Sequence, residues 1–251
     1  MPFITEMQLR ASLSKGELPN PYVLSDGCRL TPAARDFLQS RGITVGKSGA
    51  MPGKQASPAL PDIPIGVSNR HIHLSAEHIE KLFGSGYSLI PLKELSQKGQ
   101  FAAKETVSLA GPKGMLKDVR ILGPSRGASQ VEISRTDGFQ IGIHPPLRLS
   151  GDIADTPGIA VYGPKGFIYL QQGVIAAKAH IHMSPGDAQA YGVKNGDRVQ
   201  VRTHGQRPLE LHEVVIRVDP RFSLDLHIDT DEANAGFINQ GDRASIVGLS
   251  T

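Results

Sequence analysis

A chain of 251 residues has room for one large domain or two modest ones. Its 39% hydrophobic and 20% charged content excludes wholesale disorder, and with no apolar run near the roughly 18 residues of a membrane span and no basic, apolar leader, the expectation is a soluble, non-secreted chain. A formal charge of +3 suits an anionic ligand but comes without the aromatic ladder of a nucleic-acid binder, and the lone Cys28 excludes an internal disulfide or a Cys-rich metal cage, leaving His and carboxylates as metal ligands.

Ile4 to Leu13 predicts a marginal amphipathic helix, with Ile4, Met7 and Leu9 or Ala11 on one side, which would fray alone. Leu30 to Gly42 predicts a firmer one: Thr31 caps it, Pro32 suits its first turn, Phe37 and Leu38 give it an apolar side, and Gly42 suits its exit. Residues 1–46 thus form an N-terminal extension. Residues 47–62, rich in Gly, Ser, Ala and Pro, bury too little apolar area to order themselves and read as a linker.

Short apolar runs punctuated by Gly and Pro follow, among them IPIGVS, TVSLAG, KDVRILG, SQVEIS, FQIGIH, IAVYG, FIYLQ, RVQVR, HEVVIRV, SLDLHI and ASIVGL. Many short strands favour barrels or sandwiches, with GPKG at 111–114 and 163–166 as hairpin turns and short helices at Ala76 to Phe83 and Pro185 to Tyr191. An internal repeat divides this part: His71-Ile72-His73-Leu74-Ser75 recurs as His180-Ile181-His182-Met183-Ser184, each copy leading from a strand-like run into a short helix. Two related halves, 63–177 and 178–251, are expected.

Residues i and i+2 of a strand face the same side, roughly 6.5–7 Å apart at Cα, so each His-x-His is either a metal clip or a polar pair on an exposed strand. A catalytic zinc takes three protein ligands and keeps one position open, so each clip needs a third partner. His227, at a strand end, is one candidate; Glu132, between Val131 and Ile133, faces either water or a metal; His144, before Pro145-Pro146, is open to both readings. His78, His204 and His212 read as solvated. Gly123-Pro124-Ser125-Arg126-Gly127 is a turn whose Arg126 either forks onto a phosphate or stays in solvent. No Walker loop, G-x-G-x-x-G fingerprint or G-x-S-x-G elbow occurs, so no covalent acyl-enzyme is suggested.

The runs IPIGVSNRHIHLS, GPSRG with QVEISRTD, HPPLRLSGDIADTPGIAVYGPKG, AKAHIHMSP and LHIDTDEANA together resemble the PduL-type phosphate propanoyltransferases of bacterial microcompartments, from about Ile63 to the C-terminus. The resemblance implies a mainly β fold of two β-barrels capped by short α-helices, with the strand from Ile63 to Asn69 joining the second barrel. It implies two zinc ions, one on His71, His73 and Glu132 and one on His180, His182 and His227. Arg126 matches the phosphate-binding arginine, and Ser68, Lys93, Arg120, Leu122 and Asn234 fall in the coenzyme A pocket. The activity implied is transfer of a short acyl group, propanoyl, between coenzyme A and phosphate, by direct phosphate attack, in a homo-oligomer (a dimer) within a microcompartment lumen. Residues 1–46 resemble extensions that route such enzymes into the lumen through shell or cargo proteins, and are similar to the start of ethanolamine-utilisation cobalamin adenosyltransferases; the alternative is a frayed tail. A dizinc hydrolase and an inert metal-binding assembly module are the competing functions.

Overall fold

The computed structural model describes residues 2–14, 18–25, 27–47 and 60–250, in two compact units, Met1–Ala59 and Leu60–Thr251. Residues 48–59, most of the expected linker, lie outside the described residues. The first unit contains β1 (Phe3–Ile4), α1 (Glu6–Ser14), β2 (Tyr22–Leu24), β3 (Arg29–Leu30), α2 (Pro32–Gln39) and β4 (Val45–Lys47), with β1 parallel to β3 and β2 parallel to β4. The Oγ1 of Thr31 accepts the Ala34 N–H at 3.2 Å, which starts α2, and the chain turns away at Gly42 with φ 66°. What anchors the weakly amphipathic α1 is Leu9, fully buried with Ala34, Phe37 and Leu38 in a core belonging to this unit.

The second unit continues with β5 (Ile63–Ser68), β6 (His71–His73), α3 (Ala76–Phe83), β7 (Pro91–Glu94), β8 (Phe101–Gly111), β9 (Gly114–Gly123), β10 (Gln130–Glu132), α4 (Arg135–Ile141), β11 (Leu147–Arg148), β12 (Ile159–Tyr162), β13 (Phe167–Leu170), β14 (Val174–Ala177), β15 (His180–Met183), α5 (Pro185–Tyr191), β16 (Arg198–Thr203), β17 (Glu210–Val218), β18 (Asp225–Asp229), α6 (Thr230–Gly236) and β19 (Arg243–Leu249). One barrel closes, in the order β15-β17-β16-β19-β5-β18. It draws β5 from the start of the unit, parallel to β18 and antiparallel to β19. The other strands form a nine-stranded sheet, β11-β14-β10-β6-β9-β8-β12-β13 with β7 on β8. The expectation of two barrels is corrected here: closure needs the two end strands to pair, and among the described residues the two-residue β11 and the four-residue β13 are not hydrogen-bonded to each other.

Four strands share one local design. After β6, β10, β15 and β18 the chain reaches Ser75, Ser134, Ser184 and Asp229 respectively, each extended, whose side chain accepts an N–H of the following helix. In the last three a carboxylate at the third helical position reciprocates as a capping box: Asp137, Asp187 and Glu232. The strand-like run FQIGIH therefore belongs to α4 and its exit, a second correction: the Ser134 box starts a helix upstream of it, and Gly142, at φ 76°, ends that helix.

Candidate active site

On β6 and β10 and the residue after each, Ile72, Leu74, Val131 and Ile133 enter the core of the open sheet, so the alternate residues His71, His73, Gln130 and Glu132 share its other face. The antiparallel register sets His71 opposite Glu132 and His73 opposite Gln130. The barrel repeats the pattern: Ile181, Met183, Ile216, Leu226 and Ile228 fill its interior, which turns His180, His182, Arg217 and His227 outward. Register pairs His180 with His227, and His182 with both Asp225 and Arg217. Ligand atoms of His71, His73 and Glu132 lie within 4.8 Å of one another, as do those of His180, His182 and His227.

Neighbouring groups aim these side chains. Nδ1–H of His71 donates to the Asn69 carbonyl and Nδ1–H of His180 to the Lys178 carbonyl, both at 2.8 Å, which leaves each Nε2 with its lone pair toward its cluster. His227 donates Nε2–H to Asp225 Oδ2 at 3.0 Å, the Gln97 amide meets Nδ1 of His182 at 2.7 Å, and the Phe222 ring lies 4.2 Å from the His182 ring. Glu132 is held by the Gln130 Nε2–H at 2.6 Å; the same amide donates to Ser150 Oγ at 2.9 Å, and its oxygen accepts the Gly151 N–H at 2.7 Å.

Burial and the neighbouring imidazoles keep three rings neutral at pH 7. Burial, with His71 beside it, takes His73 down to about 3; burial and His227 take His180 to about 4; burial and His180 take His182 to about 2. Burial also opposes a charge on His71, but Glu132, 3.5 Å away, outweighs it and raises that ring. Glu132, despite its own burial, is held below the usual carboxylate range by His71. Nδ1 of His73 is buried and meets no hydrogen-bond partner among the described residues. Two such donor sets fit a divalent cation that prefers nitrogen and oxygen, zinc above all.

Both clusters line one cavity of about 590 Å³. Ser68, Lys93, Arg120, Leu122 and Arg126 line it too, whereas Asn234 lies exposed on α6 outside the lining. Arg126 is half-buried and its Nη1–H donates at 3.2 Å to Ser150 Oγ, the same hydroxyl that accepts from Gln130. Among the other histidines, His144, His204 and His212 are exposed, and the Nδ1 of His78 contacts Ser129 Oγ at 2.6 Å.

The sequence profile of phosphate propanoyltransferases matches residues 64–239, more than half of the chain and the whole stretch that supplies both clusters. The chain belongs to the phosphate propanoyltransferase family. A phosphate propanoyltransferase of Thermotoga maritima is 56% identical over 188 residues, which cover 74% of this chain and 90% of that protein. One from Priestia megaterium is 57% identical across 72% of this chain and 83% of its own, and one from Salmonella typhimurium is 55% identical across 69% and 82%.

Sequence reasoning missed several members of the site. Gln130, Ser150, Gln97, Phe222, Asp225 and Arg217 stand in it only because pairing and loops bring them there. Asp225 had a local signal, since it precedes His227 by two and so shares its face of β18. Gln97 and Ser150 had none, as both come from loops.

Proposed function

We propose that this chain moves a short acyl group, propanoyl, between coenzyme A and inorganic phosphate, with one zinc ion on His71, His73 and Glu132 and a second on His180, His182 and His227. The observation that carries the reading is the convergence of two three-ligand sets, from separate sheets, on one cavity beside a guanidinium. When bound, zinc supplies Lewis acidity and affinity for thiolate sulfur.

The protein's own groups do the rest. Arg126, steadied by Ser150, forks onto phosphate oxygens and aims one at the thioester carbonyl. The bond from phosphate oxygen to carbonyl carbon forms, the carbon–sulfur bond breaks, and the thiolate leaves with the electron pair, giving acyl phosphate and coenzyme A. No protein nucleophile is needed. Lys93 and Arg120 supply positive charge for the nucleotide phosphates of coenzyme A, Ser68 a hydroxyl and Leu122 an apolar surface. Asn234, exposed beyond the cavity lining, serves only a part of coenzyme A that projects past the mouth.

The test is thiol release from propanoyl-coenzyme A with and without phosphate. Transfer requires phosphate and yields acyl phosphate; thiol release at full rate without phosphate would instead mark a hydrolase. The N-terminal unit, with Phe3, Met7 and Val23 exposed, offers apolar contacts for a shell or cargo protein and would place the enzyme in a microcompartment lumen. Deletion of residues 1–46 should then abolish cargo loading and leave phosphate-dependent thiol release intact; unchanged loading would contradict this role.

A further inference from the structure

Arg217 belongs to neither donor set. Val214 and Ile216 of β17 fill the barrel, so Arg217 points the other way, into the cavity, across the ladder from His182. Its guanidinium is half-buried and lies 6.0 Å from the Phe222 ring centre. Among the described residues its side chain makes no hydrogen bond or ion pair. The nearby Asp219 is engaged instead by Arg221, through bonds of 2.8 and 2.9 Å. From the open-sheet side Arg126 spends one N–H on Ser150. Burial weakens the hold of both guanidiniums on their protons, Arg217 adds to that effect at Arg126, and Glu132 opposes it at both. That carboxylate is already committed to His71 and Gln130. Two partly desolvated forks thus face one cavity in which neither forms an ion pair among the described residues and Glu132 and Asp225 are bonded elsewhere, an arrangement that suits a doubly charged oxyanion.

We propose that Arg217 is a second phosphate-binding residue of the transfer reaction, which grips inorganic phosphate from the barrel side while Arg126 grips it from the open-sheet side. This rests on the acyl-transfer reading above. Phosphate so held bridges the two sheets and is presented between both donor sets. A single guanidinium fixes two oxygens of phosphate; two guanidiniums that share one oxygen and so grip three of the four fix its orientation and leave the fourth to attack.

Coenzyme A also carries phosphates, so the test separates the two anions. Steady-state kinetics are measured for wild type, Arg217→Gln and Arg217→Lys, with phosphate varied at saturating propanoyl-coenzyme A and the reverse, and repeated with propanoyl-pantetheine, which lacks the nucleotide. Arg217→Gln should raise the KM for phosphate about 10–100-fold with either thioester, the loss of a charge-assisted fork. The KM for propanoyl-coenzyme A and the bound metal should stay unchanged. Arg217→Lys, which keeps the charge and so guards against misfolding, should recover part of the loss. A phosphate KM within about twofold of wild type in either metal-loaded variant would overturn the proposal. So would a defect in the thioester KM that vanishes with propanoyl-pantetheine, which would assign Arg217 to the nucleotide. Wild-type thiol release that ignores phosphate would refute the transfer reading itself, a different result from any of these.

Discussion

A methyl group added at Gly66 would sit 3.0 Å from Asp225 Oδ2 and 3.2 Å from His227 Cδ2. The glycine on β5 is what lets this strand pass so close to the Asp225–His227 pair. Gly66→Ala should therefore displace His227, weaken metal binding at that cluster by about 10–100-fold and lower turnover with it; unchanged metal titration would contradict the contact. His73→Ala should remove one of two bound metal equivalents, read by elemental analysis. A third residue links the site's scaffold to pH. Burial, reinforced by the Asp229 and Asp231 charges, pushes the Glu232 carboxyl up to about 7 against the pull of its bond from the Asp229 N–H. Its folded value is raised, so the folded chain holds the proton through the window from 4.5 to about 7, and stability falls as pH rises through it. Urea midpoints at pH 5 and pH 8 should show a loss on the order of 2–3 kcal/mol from this group in wild type. Glu232→Gln, which still completes the cap, should lack it, and equal slopes in the two proteins would contradict the assignment. At this scale the His-x-His pairs were legible because two-residue periodicity places both rings on one face. Which residue completes each clip stayed open, since Glu132 and His227, both candidates from their strand positions, reach the clips only through strand pairing, and the family resemblance is what singled them out. Arg217 and Asp225 went unread for the same reason.

The element that recurs is a strand carrying two site positions, closed by a capping residue and a short helix. The cap fixes where the strand stops, and so fixes which residues of it face the cavity. Ser184→Ala should cost about 1 kcal/mol in a urea melt, and Ser184→Asp should restore most of it; an Ala variant of full stability would show that the packing of α5 alone sets the boundary. Two copies of this element were visible in the sequence through the repeated histidines. The copies at β10 and β18 carry the same Ser-x-x-Asp or Asp-x-x-Glu spacing but no His-x-His pair, with Gln130 and Glu132 on one and Asp225 and His227 on the other, which hid them from a search for matching side chains. The run FQIGIH shows the limit of apolar alternation: a short helix with Phe139 outside and Ile141 inside reads as a strand until the upstream cap is weighed.

At the scale of the whole molecule, β-richness followed from many short apolar runs, while closure did not. Whether a sheet closes depends on pairing between its end strands, a long-range choice that local sequence does not encode: one set closes here and the other stays open. The core of Leu9, Ala34, Phe37 and Leu38 is confined to the first unit, so removal of residues 1–59 should leave the melting of the second unit and its transfer kinetics unchanged. The two-metal, phosphate-dependent chemistry is tested most directly on one preparation assayed twice, for bound metal and for phosphate-dependent thiol release from propanoyl-coenzyme A. It predicts two zinc ions per chain and a rate that disappears when phosphate is omitted or when the metal is stripped by chelation. A protein stripped of metal that still transfers the acyl group to phosphate at full rate would contradict it.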